Sequence, residues 1–571
     1  MSQESTDKKP TPKAPDRSKL LTRWGALKSE RASWWAHWQE LSTYLLPRQG
    51  RFFVQDHNKG ARRHNSIYDS TATRSLRILG AGMMAGATSP ARPWFRLLTS
   101  DDDLNESQAV KIWLSEATRM MQSVFQKSNT YRALHSVYEE LGCFSTAADI
   151  VLPDYNNVIH NYSLTAGEYC LANDFQGNVC TLYREFEQPV GAIVKEFGKE
   201  NCSLAIKSMF DAGNLDQWVR LIHAIEPRAD RDARKKDNKN MAWGSYYFEL
   251  GGNENVYLRE SGFPYFPVLA PRWSVAGGDI YGNGPGMESL GDVKQLQHEQ
   301  LRKAQGIDYK TNPPLQVPTS MKNREIDRLP GGVTWYDSQS PTGGIKNLFD
   351  VNIDLNHLLG DIQDIRERIR GAFYADLFLM LANATDTRMT ATEVAERHEE
   401  KLLMLGPVLE RLHNELLNPL IEMTFSRMVS AGILPVPPPE LHGLEIHVEF
   451  VSILAQAQRA VGANGVDRWM GNIGAVAQYK PDVLDKVDTD YWVDAYADML
   501  GVDPKMIVAN DKVALVRQER AKQQAAAQQN ALAEQQSKTV KNLAGSPMSQ
   551  DNALANVMDG LTGYGTPGVM R

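Results

Sequence analysis

Cysteine is scarce in this chain of 571 residues: there are four, at positions 143, 170, 180 and 202. No two stand in a C-x-x-C arrangement, which argues against a zinc ribbon and a thioredoxin-like redox pair. Cys170 and Cys180 could face each other across a hairpin turning at NDFQGN; free thiols in a reducing compartment are the favoured reading. No apolar run reaches about 18 residues, so no membrane-spanning helix is expected. A basic excess is also missing. The chain has 62 Lys and Arg against 69 Asp and Glu, a net charge of −7, and a sequence-reading DNA binder normally shows a basic face.

Motifs for catalysis are incomplete wherever they begin. In AGGDIYGNGPGMES, Met287 stands where a dinucleotide loop needs its third glycine, and no Gly-Lys-Ser/Thr follows for a phosphate loop. The glycines there read as a hinge ahead of the next helix. In TRMTATEVAERHEEKLLMLGPVLERL, His398-Glu399 opens a zinc-protease signature. Leu402 occupies the place of the second histidine and falls on an apolar seam, so that helix face meets a core. No enzyme, cofactor or metal is expected.

What is present is a mainly helical chain with a β-rich interval, long enough for several structural units. Charge is uneven, with 17 Lys and Arg against 7 Asp and Glu in residues 1–100. Residues 1–19 are polar and rich in Pro and Lys and read as a disordered arm. Trp24, Leu27, Trp34, Trp38, Leu41 and Leu45 recur at helical intervals up to Pro47, and these tryptophans read as core. A second helix starts at Asp69 or Ser70, either of which can cap it. Its Gly80, Gly82 and Gly86 imply the close approach of another backbone. Two further helices fit residues 105–128 and 131–147. From about 160 to 275 the pattern is short strands, including EYCLANDFQGNVCTLYREF as a hairpin. The mixed-charge run RADRDARKKDNKN reads as a solvated loop.

Two polar helices with narrow apolar seams follow. The first carries Leu290, Val293, Leu296, Leu301, Ala304 and Ile307; the second carries Leu355, Leu358, Ile362, Ile365 and Ile369. Such seams belong to helices packed side by side at a shallow angle. Between them lies a Pro- and Gly-rich insertion, so the pair forms a projecting hairpin. A capping box at Thr390–Glu393 starts a long helix that runs to Gly432, roughly 60 Å at 1.5 Å per residue. Pro407 and Pro419 should kink it.

This order of parts resembles the portal, or head-to-tail connecting, proteins of short-tailed bacteriophages. The residues that carry the resemblance are the Trp-rich first helix, YDSTATRSLRILGAGMMAGATSPARPWFRL, GDIYGNGPGMESLGDVKQLQ and RMTATEVAERHEEKLLMLGPVLERLHNELLNPLI. The resemblance implies an α+β, mainly helical portal fold assembled as a ring, usually of twelve subunits, at one capsid vertex. It implies a wing over 20–287, a stem helix over 288–310 and a clip over 311–350. A second stem helix over 351–380, a channel loop over 381–389 and a kinked wing helix over 390–432 follow. A crown over 433–520 and an Ala/Gln-rich, partly disordered tail over 521–571 complete the chain.

The function implied is a structural DNA conduit for genome packaging, head-to-tail joining and genome ejection. The alternative is a scaffolding or coat-associated protein without a channel. Expected partners are further copies of the chain, double-stranded DNA passing non-specifically, a packaging motor (terminase), tail adaptors, and major capsid and scaffolding or internal core proteins, with no membrane. The expected location is the virion, with the host cytoplasm during assembly. Asn383, Thr385, Asp386, Thr387 and Arg388 are the expected channel-loop residues. Lys303, Lys310, Arg366 and Arg370 are candidate channel-facing stem residues. Lys322, Arg324, Arg328, Trp335 and Tyr336 are candidates for docking a partner at the clip.

Charge balance suits such a conduit. Duplex DNA carries one phosphate per about 1.7 Å, so a channel of about 60 Å holds on the order of 35 phosphate charges. Gripping even six to ten of them with Lys or Arg binds tightly and opposes passage. In the two polar helices Lys294, Arg302, Lys303 and Lys310 alternate with Asp292, Glu299 and Asp308, and Arg366, Arg368 and Arg370 with Asp361, Asp364 and Glu367.

Overall fold

The computed structural model describes residues 15–52, 65–101, 104–105, 107–232, 234–235, 237–251, 257–311, 315–316, 322, 346–347, 356–383, 405–441, 446–451, 469–477, 479–493, 508 and 510–544. The chain divides into two compact units, 1–484 and 485–571. In the first, helix α1 (Arg17–Tyr44) precedes α2 (Thr71–Ala87). Strand β1 (Phe95–Thr99) then leads to α3 (Gln108–Lys127) and α4 (Thr130–Phe144). The strands β2 (Ala148–Asp154), β3 (Val158–Leu164), β4 (Tyr169–Asn173) and β5 (Val179–Pro189) follow.

Between β5 and β6 (Trp218–Pro227) sit two short helices, α5 (Val190–Phe197) and α6 (Leu204–Asp211). The strands β7 (Trp243–Glu249), β8 (Arg259–Phe263) and β9 (Val268–Leu269) end the β-rich interval. Helix α7 (Pro285–Thr311) is followed by two-residue strands β10 (Leu315–Gln316) and β11 (Lys346–Asn347), then α8 (Asn356–Ala372) and α9 (Ala375–Asn383). Helix α10 occupies 405–430 and is followed by β12 (Ile446–Phe450).

Strands β4 to β8 form one antiparallel sheet in chain order. Alternation along each strand sends side chains to two faces, and each face has its own cover. Tyr183, Ile222, Ala224, Tyr246 and Phe248 meet Leu20, Trp24 and Leu27 of α1. Phe186, Leu221 and Tyr247 meet Ile193, Phe197 and Ile206 of α5 and α6. The tryptophans of α1 are core, as their spacing implies. Trp24 stacks on Tyr183 at 6.5 Å and Trp38 meets Tyr281 edge-on at 4.9 Å.

The hairpin at NDFQGN forms, with Cys170 paired in register to Tyr183 rather than to Cys180. All four thiols are free. The mixed-charge run is an exposed loop over most of its described residues, anchored at its two ends. Arg228 donates to Tyr246 Oη and to the Asn238 and Ser261 carbonyls, and Asn240 is buried.

The glycines of α2 mark close contacts. A Cβ on Gly80 would press on Glu139 of α4, and one on Gly82 would overlap the Phe378 ring of α9. Reciprocally, Gly142 of α4 leaves room for Leu76 and Leu79. Of the later glycines, read as a hinge, Gly277 and Gly278 have open space around them, while Gly282, Gly284 and Gly286 are packed. A Cβ on Gly282 would overlap the Ser145 carbonyl, one on Gly284 the Trp273 ring, and one on Gly286 the Cys143 carbonyl. Gly282 also donates its N–H to Thr146 Oγ1 at 2.8 Å. The passage is the close seating of α7 against the end of α4, so its flexibility in isolation is lost in the fold.

The second polar helix was expected to continue to 380. It breaks instead after Ala372, where Tyr374 takes a left-handed φ of 52° and α9 begins. Phe373 and Phe378 are buried on either side of the break, so the turn lets both aromatic rings reach the core. In α10 the irregularity is a π turn over His413–Leu417. Pro419 has no N–H for the Glu415 carbonyl; the preceding Asn418 N–H reaches back to the His413 carbonyl, five residues away. The ladder is thereby re-registered one residue before the proline. Gly432 follows with φ 64° and terminates the helix. The capping box and His398-Glu399 lie outside the described residues.

Candidate functional site

Helices α7 and α8 form an antiparallel rod. Arg368 meets Asp292 at 3.0 Å, and seven residues further along α7 Glu299 lies against Asp361, seven residues earlier in α8. Burial, then the Asp361 carboxyl, push the Glu299 pKa up; Gln295 opposes this by donating to Glu299 at 2.7 Å. Ile362, Ile365 and Ile369 of α8 and Leu290, Val293 and Leu296 of α7 fill the shared seam. The seam residues nearer the far end behave differently: Ile307 is 41% exposed. The pairing of Leu315 with Asn347 and Gln316 with Lys346 holds together the ends of the insertion that the rod carries.

The rod is tied to the body at a polar node. Asp69, just before α2, accepts from Arg366 Nη2 at 2.7 Å and Nε at 3.0 Å, from Gln300 at 2.9 Å, and from Thr71 N–H and Oγ1 at 2.9 and 2.6 Å. Burial alone would raise the Asp69 carboxyl. The hydrogen bonds from Thr71 and Arg366 outweigh it and hold the group below the usual carboxylate range. Gln297, itself buried, reads the backbone as a peptide would. Its Oε1 accepts from the N–H groups of Tyr68 and Asp69 at 2.6 and 2.8 Å, and its Nε2 donates to the Asp69 carbonyl at 3.0 Å. One residue therefore caps α2 and receives α7 and α8 together.

A second clamp joins α10 to the sheet. The Arg272 side chain is 3% exposed and meets Glu415 in the π turn at 2.6 Å. The Arg272 N–H donates to the same carboxylate at 2.8 Å, and Arg272 Nη2 donates to the Gly177 carbonyl at the tip of the β4–β5 hairpin at 2.9 Å. Arg411 adds a third donor to Glu415 at 3.0 Å. The carboxylate is satisfied on several sides, which a half-buried ion pair needs to be tolerated.

These contacts sort the charges of the rod. Lys294 pairs with Glu40 of α1 at 2.5 Å, Arg366 with Asp69, and Arg368 with Asp292 and Asp364. The pairing of Arg366 with a carboxylate 297 positions away replaces the local offset expected from Asp361, Asp364 and Glu367. Arg302, Lys303, Lys310 and Arg370 have no carboxylate within ion-pair distance among the described residues. Lys303 is half-buried on α7, while Lys310 and Arg370 are exposed in the last turns of α7 and α8. Arg74 of α2, Arg370 and Asp376 of α9 line a polar cleft beside the Asp69 node.

Asn383, placed in the expected loop, is the last residue of α9, because the apolar run DLFLMLA extends helix up to it. Thr385, Asp386, Thr387 and Arg388 lie outside the described residues, as do Arg324, Arg328, Trp335 and Tyr336. Lys322 is an exposed turn residue. The residues that sequence reasoning missed are Gln297, Gln300 and Glu415. Asp69 was weighed only as a cap. The one available signal was a carboxylate beside a helix start followed by Thr, and it says nothing about a partner on α8. Among the described residues no group of three or more His, Cys, Asp or Glu could hold a metal, and no helix is long and apolar enough to cross a membrane.

Comparison with known proteins agrees on one family. The model for bacteriophage head to tail connecting proteins matches residues 17–508. The chain is 63% identical over 549 residues to a probable portal protein of Bordetella phage BPP-1, covering 96% of this chain and 99% of that protein. It is 45% identical over 543 residues to the portal protein of Salmonella phage epsilon15, covering 95% and 98%. A chain from the virion of a native gene transfer agent particle is 10% identical with a TM-score of 0.33, covering 76% of this chain and 94% of that one.

Proposed function

Because this chain belongs to the bacteriophage head-to-tail connecting protein family and is a structural portal protein, we propose that it works as a ring of copies, twelve in number, through which double-stranded DNA enters and leaves the capsid. The observation that carries this reading is the charge state of the α7–α8 rod. Three of its seven Lys and Arg side chains are consumed by fixed partners in the same subunit, at Glu40, Asp69 and Asp292. Four remain, Arg302, Lys303, Lys310 and Arg370. Spaced-out cations on an otherwise balanced wall let a polyanion slide, whereas a continuous basic stripe would hold it. The rod also leaves apolar seam surface such as Ile307 uncovered, and neighbouring copies in a closed head-to-tail ring would supply the missing cover.

On this reading α7 and α8 are the stem, 311–350 is the clip that docks the packaging motor and later the tail adaptors, and 384–388 with Asn383 is the channel loop. The body carrying the five-stranded sheet and α10 is the wing. Residues 433–520 form the crown on the capsid side, although β12 pairs with β1 and so ties the start of that segment to the wing. Capsid, scaffolding or internal core proteins contact the rim, and assembly takes place in the host cytoplasm before the ring is fixed in the virion.

Deleting 383–388 tests the conduit. The expected result is intact rings that fail to package or retain full-length DNA. Normal packaging and retention by the deletion would overturn the loop assignment. Alanine at Lys322, Arg324, Arg328, Trp335 and Tyr336 should abolish motor docking or tail attachment while rings still form.

A further inference from the structure

Just past the end of α10 the chain runs through ILPVPPPE, residues 433–440, with prolines at 435, 437, 438 and 439. The ring of each proline fixes its φ near −65°, and a residue that precedes proline is pushed out of the helical region into extended backbone. Leu434, Val436, Pro437 and Pro438 each precede a proline, so the stretch is set in the polyproline II form, with three residues per turn. The structure agrees. Residues 435–438 belong to neither helix nor strand, and burial follows that period. Pro435 and Pro438 are half-buried, whereas Ile433, Val436 and Pro439 are exposed, Val436 to 90%.

This ridge is pinned at both ends and from beneath. The Ile433 N–H donates to the Met428 carbonyl at 3.1 Å, and the N–H of buried Leu441 donates to the Pro438 carbonyl at 3.0 Å. Beneath it the indole N–H of Trp113, in α3, donates to the Pro435 carbonyl at 3.1 Å, and the Trp113 ring meets Phe425 of α10 edge-on at 6.5 Å. The body thus reads the inner edge with an aromatic ring and its N–H. The outer edge offers the same chemistry and has no reader. Among the described residues the carbonyls of Leu434, Val436 and Pro437 accept no hydrogen bond, and exposed Glu440 has no ion-pair partner.

We infer that the outer edge of residues 433–440 is a docking strip for a different protein of the particle, one that presents a groove walled by Trp or Tyr side chains. Aromatic faces cover Val436 and Pro439, and ring N–H or O–H groups donate to the free carbonyls. A Lys or Arg at one end of the groove meets Glu440. Strand addition is excluded as the binding mode, because Val436 supplies the sole backbone N–H between Pro435 and Pro439. A second copy of this chain fits poorly, since its most exposed aromatic rings, Tyr155 and Phe175, stand singly on the β2–β3 and β4–β5 turns. Because the ridge is already fixed in shape, little conformational entropy is lost when it binds. The inference does not depend on the number of copies in the ring.

The test is photo-cross-linking in assembled phage particles that carry the full-length chain with benzoylphenylalanine in place of Val436, followed by mass spectrometry of the joined peptides. The expected product links residue 436 to a Trp- or Tyr-containing segment of another particle protein. Links to this chain alone would make the strip a contact between copies and overturn the inference, as would links to a segment without aromatic residues, or no link at all. Binding of the identified protein to the purified full-length chain supplies the second readout. Val436→Asp should weaken it about tenfold. Pro437→Ala with Pro438→Ala keeps the surface apolar but frees the backbone, and should weaken it about threefold. Unchanged binding in both variants would overturn the docking strip. Ring formation, viewed by electron microscopy in the same preparations, reports separately on the proposed conduit.

Discussion

Glu140 is a carboxyl in the wrong solvent, and its titration should be visible in the stability of the whole body. The side chain lies on α4 and is fully buried, where Thr165 Oγ1 donates to one oxygen at 2.6 Å and the Ala166 N–H to the other at 3.2 Å. Burial pushes its pKa up to about 8, and those two hydrogen bonds only partly oppose the shift. The unfolded chain releases that proton near pH 4.5, so the folded state holds a proton that the unfolded state has lost throughout the interval between. Stability from this group is present below about pH 4.5, falls as pH rises, and is fully lost by about pH 8. At 1.36 kcal/mol per pH unit the wild type should lose about 4 kcal/mol between pH 5 and pH 8. Glu140→Gln is the isosteric control. Its amide oxygen still accepts from Ala166 and its NH2 group donates to Thr165, with nothing to titrate. Urea midpoints followed by tryptophan fluorescence at pH 5, 6, 7 and 8 would measure the difference. The wild-type-minus-variant stability should decline steadily with pH. Parallel curves for the two proteins would refute the reasoning, because they would mean Glu140 is ionised or solvated in the fold.

Three further outcomes follow from the contacts. Asp69→Ala should cost about 2–3 kcal/mol, since it removes an ion pair, an amide contact and the cap of α2 together. In a cycle with Arg366→Ala the coupling should be about 1–2 kcal/mol by thermal unfolding, and additive effects would contradict a shared node. Gly286→Ala should be far worse than Gly82→Ala. The first sets a methyl against the Cys143 carbonyl, which is backbone, while the second displaces a side-chain ring at a cost of about 1–3 kcal/mol; soluble yield and melting temperature measure both. Arg272→Met should destabilise by about 3–5 kcal/mol by leaving the Glu415 carboxylate without its main partner, and Glu415→Gln with Arg272→Met should recover part of that loss.

The local parts of this fold were legible because period and punctuation carry them. The tryptophans of α1, the NDFQGN hairpin, the seams of α7 and α8 and the stop at Gly432 each follow from spacing within a few turns. Strand β1 was not legible, because its partner β12 lies some 350 positions away, with Phe95 opposite Phe450. The β2–β3 hairpin hid behind Pro153, and α5 and α6 behind the expectation of continuous strand. The site divided in the same way. Periodicity named the helices that carry Lys303, Lys310, Arg366 and Arg370, but only the three-dimensional packing revealed that Arg366 belongs to Asp69. Gln297 and Glu415 give no sequence signal at all, since each acts by satisfying a distant backbone or guanidinium. The glycines of the 282–286 passage make the same point from the other direction, for a residue without Cβ serves a hinge and a tight contact equally well.

The central claim is that this subunit is completed by copies of itself around a hollow axis. The most direct measurement is the particle mass of the purified full-length chain, by mass photometry or light scattering, with end-on negative-stain views of the same sample. The account predicts a discrete species at a fixed multiple of 63.9 kDa, with twelve copies and a central hole. A stable 63.9 kDa monomer under every condition tried, including in the presence of capsid and scaffolding proteins, would contradict it.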